Sequence, residues 1–159
     1  MKLLGTTTGW LSTAALAVLL CVPAWAVLGD NAASVLTDQA RMKGTLRSVD
    51  NRTYVLHEIT MASGDKVREF VSPAGVVFGV AWEGQFPPDF QQLLGPWYQQ
   101  AQQAAAQNAS PEQTRRRRGP VAIETPGLMF YAGGHPRSFR GQAWIPQLVP
   151  QGVNVGDIR

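Results

Sequence analysis

The stretch TLRSVDNRTYVLHEITMASGDKVREFVSPAGVVFGVAWE, residues 45–83, decides the fold of this chain. Its β-branched and aromatic residues are separated by turn formers at Asp50-Asn51, Ala62-Ser63-Gly64-Asp65 and Ser72-Pro73-Ala74-Gly75. That punctuation predicts a four-stranded antiparallel meander with strands at about Thr45–Val49, Thr53–Met61, Lys66–Val71 and Val76–Glu83. If Ala62 faces Asp65 across the second hairpin, Glu58 falls opposite Glu69, on a face shared with Tyr54, Leu56, Val67 and Val71. Pairing Val71 with Val76 adds Phe78, Val80 and Trp82 to that face. Two carboxylates inside an apolar patch raise at least one pKa, the arrangement from which acid–base catalysis is built. A slip of one residue undoes the pair, and the alternative is that either glutamate pairs with an arginine such as Arg47, Arg68 or Arg140, or that this face is partly solvated.

Upstream, residues 31–42 carry Ala33, Val35 or Leu36, Ala40 and Met42 at helical spacing, with Asp30 or Asn31 available as N-cap and Gly44 as a stop. Downstream, Pro87-Pro88 ends the meander and Asp89 caps a long helix bearing Phe90, Leu93, Leu94, Trp97, Tyr98 and Ala101 on one stripe. Gly95-Pro96 predicts a kink in that helix, or a break into two. A disordered basic loop follows at about residues 108–119. Three more strands are expected over Val121–Glu124, Leu128–Ala132 and Arg137–Trp144. Together these predict one α+β domain over residues 27–159, an antiparallel sheet of six or seven strands packed against the helix.

The N-terminus reads as a cleavable signal peptide. Lys2 supplies the positive charge, Leu11 to Val22 an uncharged apolar run, and Pro23 followed by Ala24-Trp25-Ala26 a cleavage site after Ala26. The run is too short to span a bilayer stably. Leu20 before Cys21 is too large for a lipoprotein site, so the single cysteine leaves with the signal, and with it disulfide and thiol chemistry. The remaining thirteen Lys and Arg against eleven Asp and Glu are nearly balanced. Four of the thirteen form the single run Arg115–Arg118, so the surface as a whole does not seek nucleic acid.

Few residues offer chemistry. His57 alternates with Val55, Ile59 and Met61 as a sheet residue does, and His135 follows two glycines in a turn that exposes it. Neither has a partner at metal-ligand spacing. There is no Gly-x-Ser-x-Gly elbow and no glycine-rich phosphate loop, so neither a nucleophile triad nor a cofactor is indicated.

Several segments resemble one family: Leu28-Gly29-Asp30, residues 54–60 (YVLHEIT), residues 67–82 (VREFVSPAGVVFGVAW) and residues 133–144 (GGHPRSFRGQAW). The chain is similar along nearly all of residues 27–159 to exported proteobacterial proteins grouped as domain-of-unknown-function family 2844. That resemblance implies export and a shared fold, and supplies no activity or ligand.

The leading expectation is an exported, periplasmic or secreted, non-catalytic binding module. Its partner would be an envelope protein or other envelope component, met through Trp82, Trp97, Trp144, His135 and Arg137. One alternative is a hydrolase or lyase using Glu58 and Glu69 with His57 or His135. A second is a peripheral protein held weakly on anionic membrane surfaces by Arg115, Arg116, Arg117 and Arg118.

Overall fold

The computed structural model describes residues 28–108 and 120–159. The expected signal peptide with its cleavage at Ala26, and the Arg115–Arg118 run, lie outside the described residues. The chain is α+β. Helix α1 (Ser34–Met42) precedes strands β1 (Thr45–Asp50), β2 (Val55–Thr60), β3 (Lys66–Val71) and β4 (Val77–Gly84). Helices α2 (Phe90–Leu94) and α3 (Trp97–Asn108) follow, then β5 (Val121–Glu124), β6 (Met129–His135) and β7 (Ser138–Trp144). All seven strands form one antiparallel sheet in the order β1-β2-β3-β4-β7-β6-β5.

The helix expected to be long is two helices. Gly95 closes α2 with φ 49, and Pro96, which cannot supply a backbone donor, starts the next turn. Asp89 caps α2 through its carboxylate, which accepts from the Gln91 and Gln92 amides at 2.9 and 3.1 Å. Val35, Leu93, Leu94, Ala101 and Ala104 are buried in one apolar cluster with Val67, Val80 and Trp82 of the sheet. The other sheet face carries a second cluster of Phe70, Phe78, Ala81 and Trp144, closed by Ile158 of the C-terminal segment.

The register of β2 against β3 corrects the expected carboxylate pair. The hairpin closes at Met61 and Asp65 around the three-residue loop Ala62-Ser63-Gly64, and Gly64 takes φ 88. The pairing therefore shifts by one residue: His57 lies opposite Glu69, and Glu58 opposite Arg68. Since neighbouring residues on a strand point to opposite faces, Glu58 and Glu69 stand on opposite sides of the sheet.

A second departure is a bulge. Phe70 pairs with Gly79 but Val71 pairs with Val77, so Phe78 is the extra residue. It sends Phe78 to the face of Phe70, while Val77, Val80 and Trp82 join the helix-side core. The single apolar face expected from the sequence is thus divided: Tyr54, Leu56 and Phe78 on one side, Val67, Glu69, Val71, Val80 and Trp82 on the other.

Candidate functional site

One end of the sheet, around the β6–β7 hairpin, gathers three of the residues singled out in the sequence. The two-residue turn Pro136-Arg137 joins paired residues His135 and Ser138. Arg137 has φ 67, a left-handed conformation that a turn with proline at its first position ordinarily assigns to glycine. A side chain with a Cβ is strained there, and such strain is a mark of functional positions. His135 is exposed beside it, its Nδ1 3.3 Å from the Pro136 carbonyl oxygen.

Behind the turn lies a hollow of about 470 Å³ whose walls include Trp82, Pro87, Phe90, Val121 and Phe139, with His135 and Arg140 at its rim. A larger hollow of about 740 Å³, lined by Arg68, Tyr131, Gln142 and Arg159, and a third of about 490 Å³, lined by Asp65, Glu83 and Arg137, also reach Arg140. These volumes lie in the range of small-molecule sites. Phe86, beside Pro87, is 66% exposed, and Val121 is exposed as well, so apolar surface continues past the mouth of the first hollow.

The charges at this end are unevenly partnered. Arg68 donates from Nε to Glu58 at 2.9 Å and from Nη2 to Glu83 at 2.7 Å, while Lys66 stands 3.8 Å from Glu58. Burial opposes the charge of Arg68, but these hydrogen bonds and the two carboxylates more than restore it and hold its pKa above the ordinary value. Glu83 is also the strand partner of Arg140, yet it gives its carboxylate to Arg68. Arg140 is left exposed and without an ion pair among the described residues. Tyr131 stacks on Trp144 with ring centroids 5.5 Å apart and donates to Glu124 at 2.7 Å, a bond that raises the phenol pKa.

The other residues expected to act lie elsewhere. Trp82 and Trp144 are 3% and 9% exposed, so they are core residues, and Trp82 reaches the first hollow only as part of its wall. Trp97 packs beside Gly127 and Gly29, where a Cβ at Gly127 would come within 2.7 Å of the indole. Glu58 is spent in the ion pairs with Arg68 and Lys66. Glu69, 2% exposed, shows neither carboxyl oxygen to a donor among the described residues.

The acid near Glu69 is Asp38 of α1, a residue the sequence did not bring forward. Asp38 is 1% exposed and accepts a short hydrogen bond from the Gln92 amide of α2. Burial first, then the charge of Asp38 and a hydrogen bond with it, hold the Glu69 pKa well above the usual carboxylate range. His57, opposite Glu69, sits 2.7 Å from Ser48 Oγ, and burial lowers its pKa. No substrate atom reaches carboxyls buried to this degree, so Glu69 and Asp38 offer no exposed acid or base. Among the described residues no three His, Asp or Glu side chains stand together as a metal site, and no helix is long and apolar enough to cross a membrane.

Fold and site define a class: an α+β protein whose seven-stranded antiparallel sheet ends in an arginine-rimmed apolar hollow. The chain belongs to the family described as "Protein of unknown function (DUF2844)", which it matches over residues 24–158. Neither the curated proteins nor the solved structures contain a match to it.

Proposed function

We propose that this chain is an exported, non-catalytic binding protein of the cell envelope, and that its ligand is an anionic amphiphile with a carboxylate or phosphate head and an apolar tail. The single observation that carries the reading is Arg140, a cation without an ion pair among the described residues, at the end of the sheet reached both by a hollow walled by Phe90, Phe139 and Val121 and by the larger one lined by Tyr131 and Gln142. A guanidinium offers paired donors matched to carboxylate and phosphate oxygens, and the apolar wall rewards burial of a chain or ring. Arg137 and Arg159 add positive charge nearby without lining that wall. Export, with cleavage after Ala26, places the protein where such molecules are abundant; the N-terminal pattern of Lys2, the Leu11–Val22 run and Ala24-Trp25-Ala26 supports it.

The test is calorimetric titration of the purified chain with three probes: dodecanoate below its micelle concentration, decanol and inorganic phosphate. The reading expects dodecanoate to bind more tightly than either of the others, since they carry only a tail or only a charge. Replacing Arg140 by Gln weakens dodecanoate binding about ten- to a hundredfold, the loss of one charge-assisted hydrogen-bonded pair. Equal affinity of the wild type and Arg140→Gln for dodecanoate, or no binding of dodecanoate at all, would sink it.

A further inference from the structure

We propose that a proton held between Glu69 and Asp38 latches helix α1 onto the sheet, so that raising the pH releases the helix. Glu69 stands in the middle of β3, flanked on its own face by Val67 and Val71, with His57 of β2 on one side and Val80 of β4 on the other. Asp38 comes down on it from α1, and α2 contributes the neutral amide of Gln92, which donates to Asp38. The remaining charged group facing the junction is Arg41, one turn along α1, whose charge favours ionised Asp38. Among the described residues no ion pair is made to Glu69, and neither of its oxygens meets a donor. A carboxyl so placed is accommodated as the neutral acid, with Asp38 as acceptor for its proton.

Apart from the apolar packing of Val35 and Met42 on the core, α1 is held by backbone bonds at the segment that precedes it. The amides of Gly29 and Ala32 donate to the carbonyls of Val77 and Gly75 at 2.7 and 2.8 Å, and the Val77 amide donates to Asp30 at 2.8 Å. These bonds tie residues 28–33 to the β3–β4 turn and do not depend on pH. Ionising Glu69 sets two buried anions against each other beneath the middle of the helix, where the Gln92 amide is the one donor to Asp38 among the described residues. The helix then lifts about its N-terminal tether and uncovers His57, Ile59 and Glu69.

Glu69 is raised above its unfolded value of 4.5, so its stabilisation is fully present below pH 4.5 and is lost as pH rises through the folded pKa. His57 works the other way: burial lowers it from 6.5, so its contribution is lost as pH falls below 6.5. Replacing His57 by Gln isolates the first effect.

Hydrogen exchange of the α1 amides, corrected for the intrinsic pH dependence, reads the latch directly. In the wild type and in His57→Gln, protection over residues 34–42 falls by up to about tenfold per pH unit while Glu69 titrates, and β4 and β7 remain protected. In Glu69→Gln the fall disappears. Asp38→Asn, which removes the like charge and keeps the shape, moves the fall to lower pH and serves as the second test if Glu69→Gln does not fold. Protection of α1 that is independent of pH in the wild type, an unchanged fall in Glu69→Gln, or an unchanged midpoint in Asp38→Asn overturns the proposal.

Discussion

The junction beneath α1 and the end of the sheet around Arg140 treat charge in opposite ways. The first buries two acids with no base against Glu69; the second exposes a base with no acid. Both arise from one register. Moving the β2–β3 pairing by a single residue gives Glu58 to Arg68 on one face and leaves Glu69 without a cation on the other. Arg68, already holding Glu58, also takes Glu83, and so leaves Arg140 unpaired. One local choice in a hairpin therefore sets up both the internal proton and the external cation.

Substitutions can break or sharpen that contrast, and the largest effect belongs to the residue that connects the two regions. Trp82 packs against Phe90 and Phe130 at centroid distances of 5.2 and 5.5 Å and walls the hollow near Arg140. Trp82→Ala should cost about 3–5 kcal/mol in urea denaturation and abolish ligand binding together with it. Next comes the buried acid. Glu69→Met, of similar length and without polar atoms, removes the proton shared with Asp38 and should cost about 1–3 kcal/mol in the same assay in acid, a loss that shrinks as the pH rises. Unchanged stability of that variant in acid would show that the shared proton does not hold α1.

Smaller effects lie at the arginine end. Arg137→Gly relieves the left-handed backbone and should stabilise the fold by about 1 kcal/mol while weakening binding of dodecanoate, the opposed changes expected where strain serves a site. Glu58→Gln breaks an ion pair that is only partly buried and should cost less than about 1 kcal/mol in the same denaturation assay. It also loosens Arg68, so it should leave anion binding intact or tighter.

Much of the fold was legible because its signals are local. Asp89 announced a helix start, Gly95-Pro96 a break, and the clusters at residues 62–65 and 72–75 two hairpins. The register was not legible, because Ala62-Ser63-Gly64-Asp65 fits a two-residue or a three-residue loop, and only tertiary packing chooses between them. The bulge at Phe78 was hidden for a related reason: in Val76-Val77-Phe78 every residue is apolar, and no polar position marks which one turns over. Of the site, His135, Arg137 and Trp82 were visible by type, but Arg140 drew attention only as a partner for a glutamate. Its place at strand parity with Gln142, opposite Phe139 and Gly141, was the available clue. Asp38 had a clue too: it sits three residues after Val35, within the apolar stripe that α1 turns to the core, where a charge is unexpected.

The most direct test of the account is a map of amide chemical-shift changes on titrating the purified chain with dodecanoate. The account predicts saturable shifts concentrated at Phe86–Phe90, Val121 and Gly133–Gly141, lost in Arg140→Gln, with α1 unaffected. Shifts spread evenly over the surface, centred elsewhere in the sheet, or retained in Arg140→Gln would contradict it.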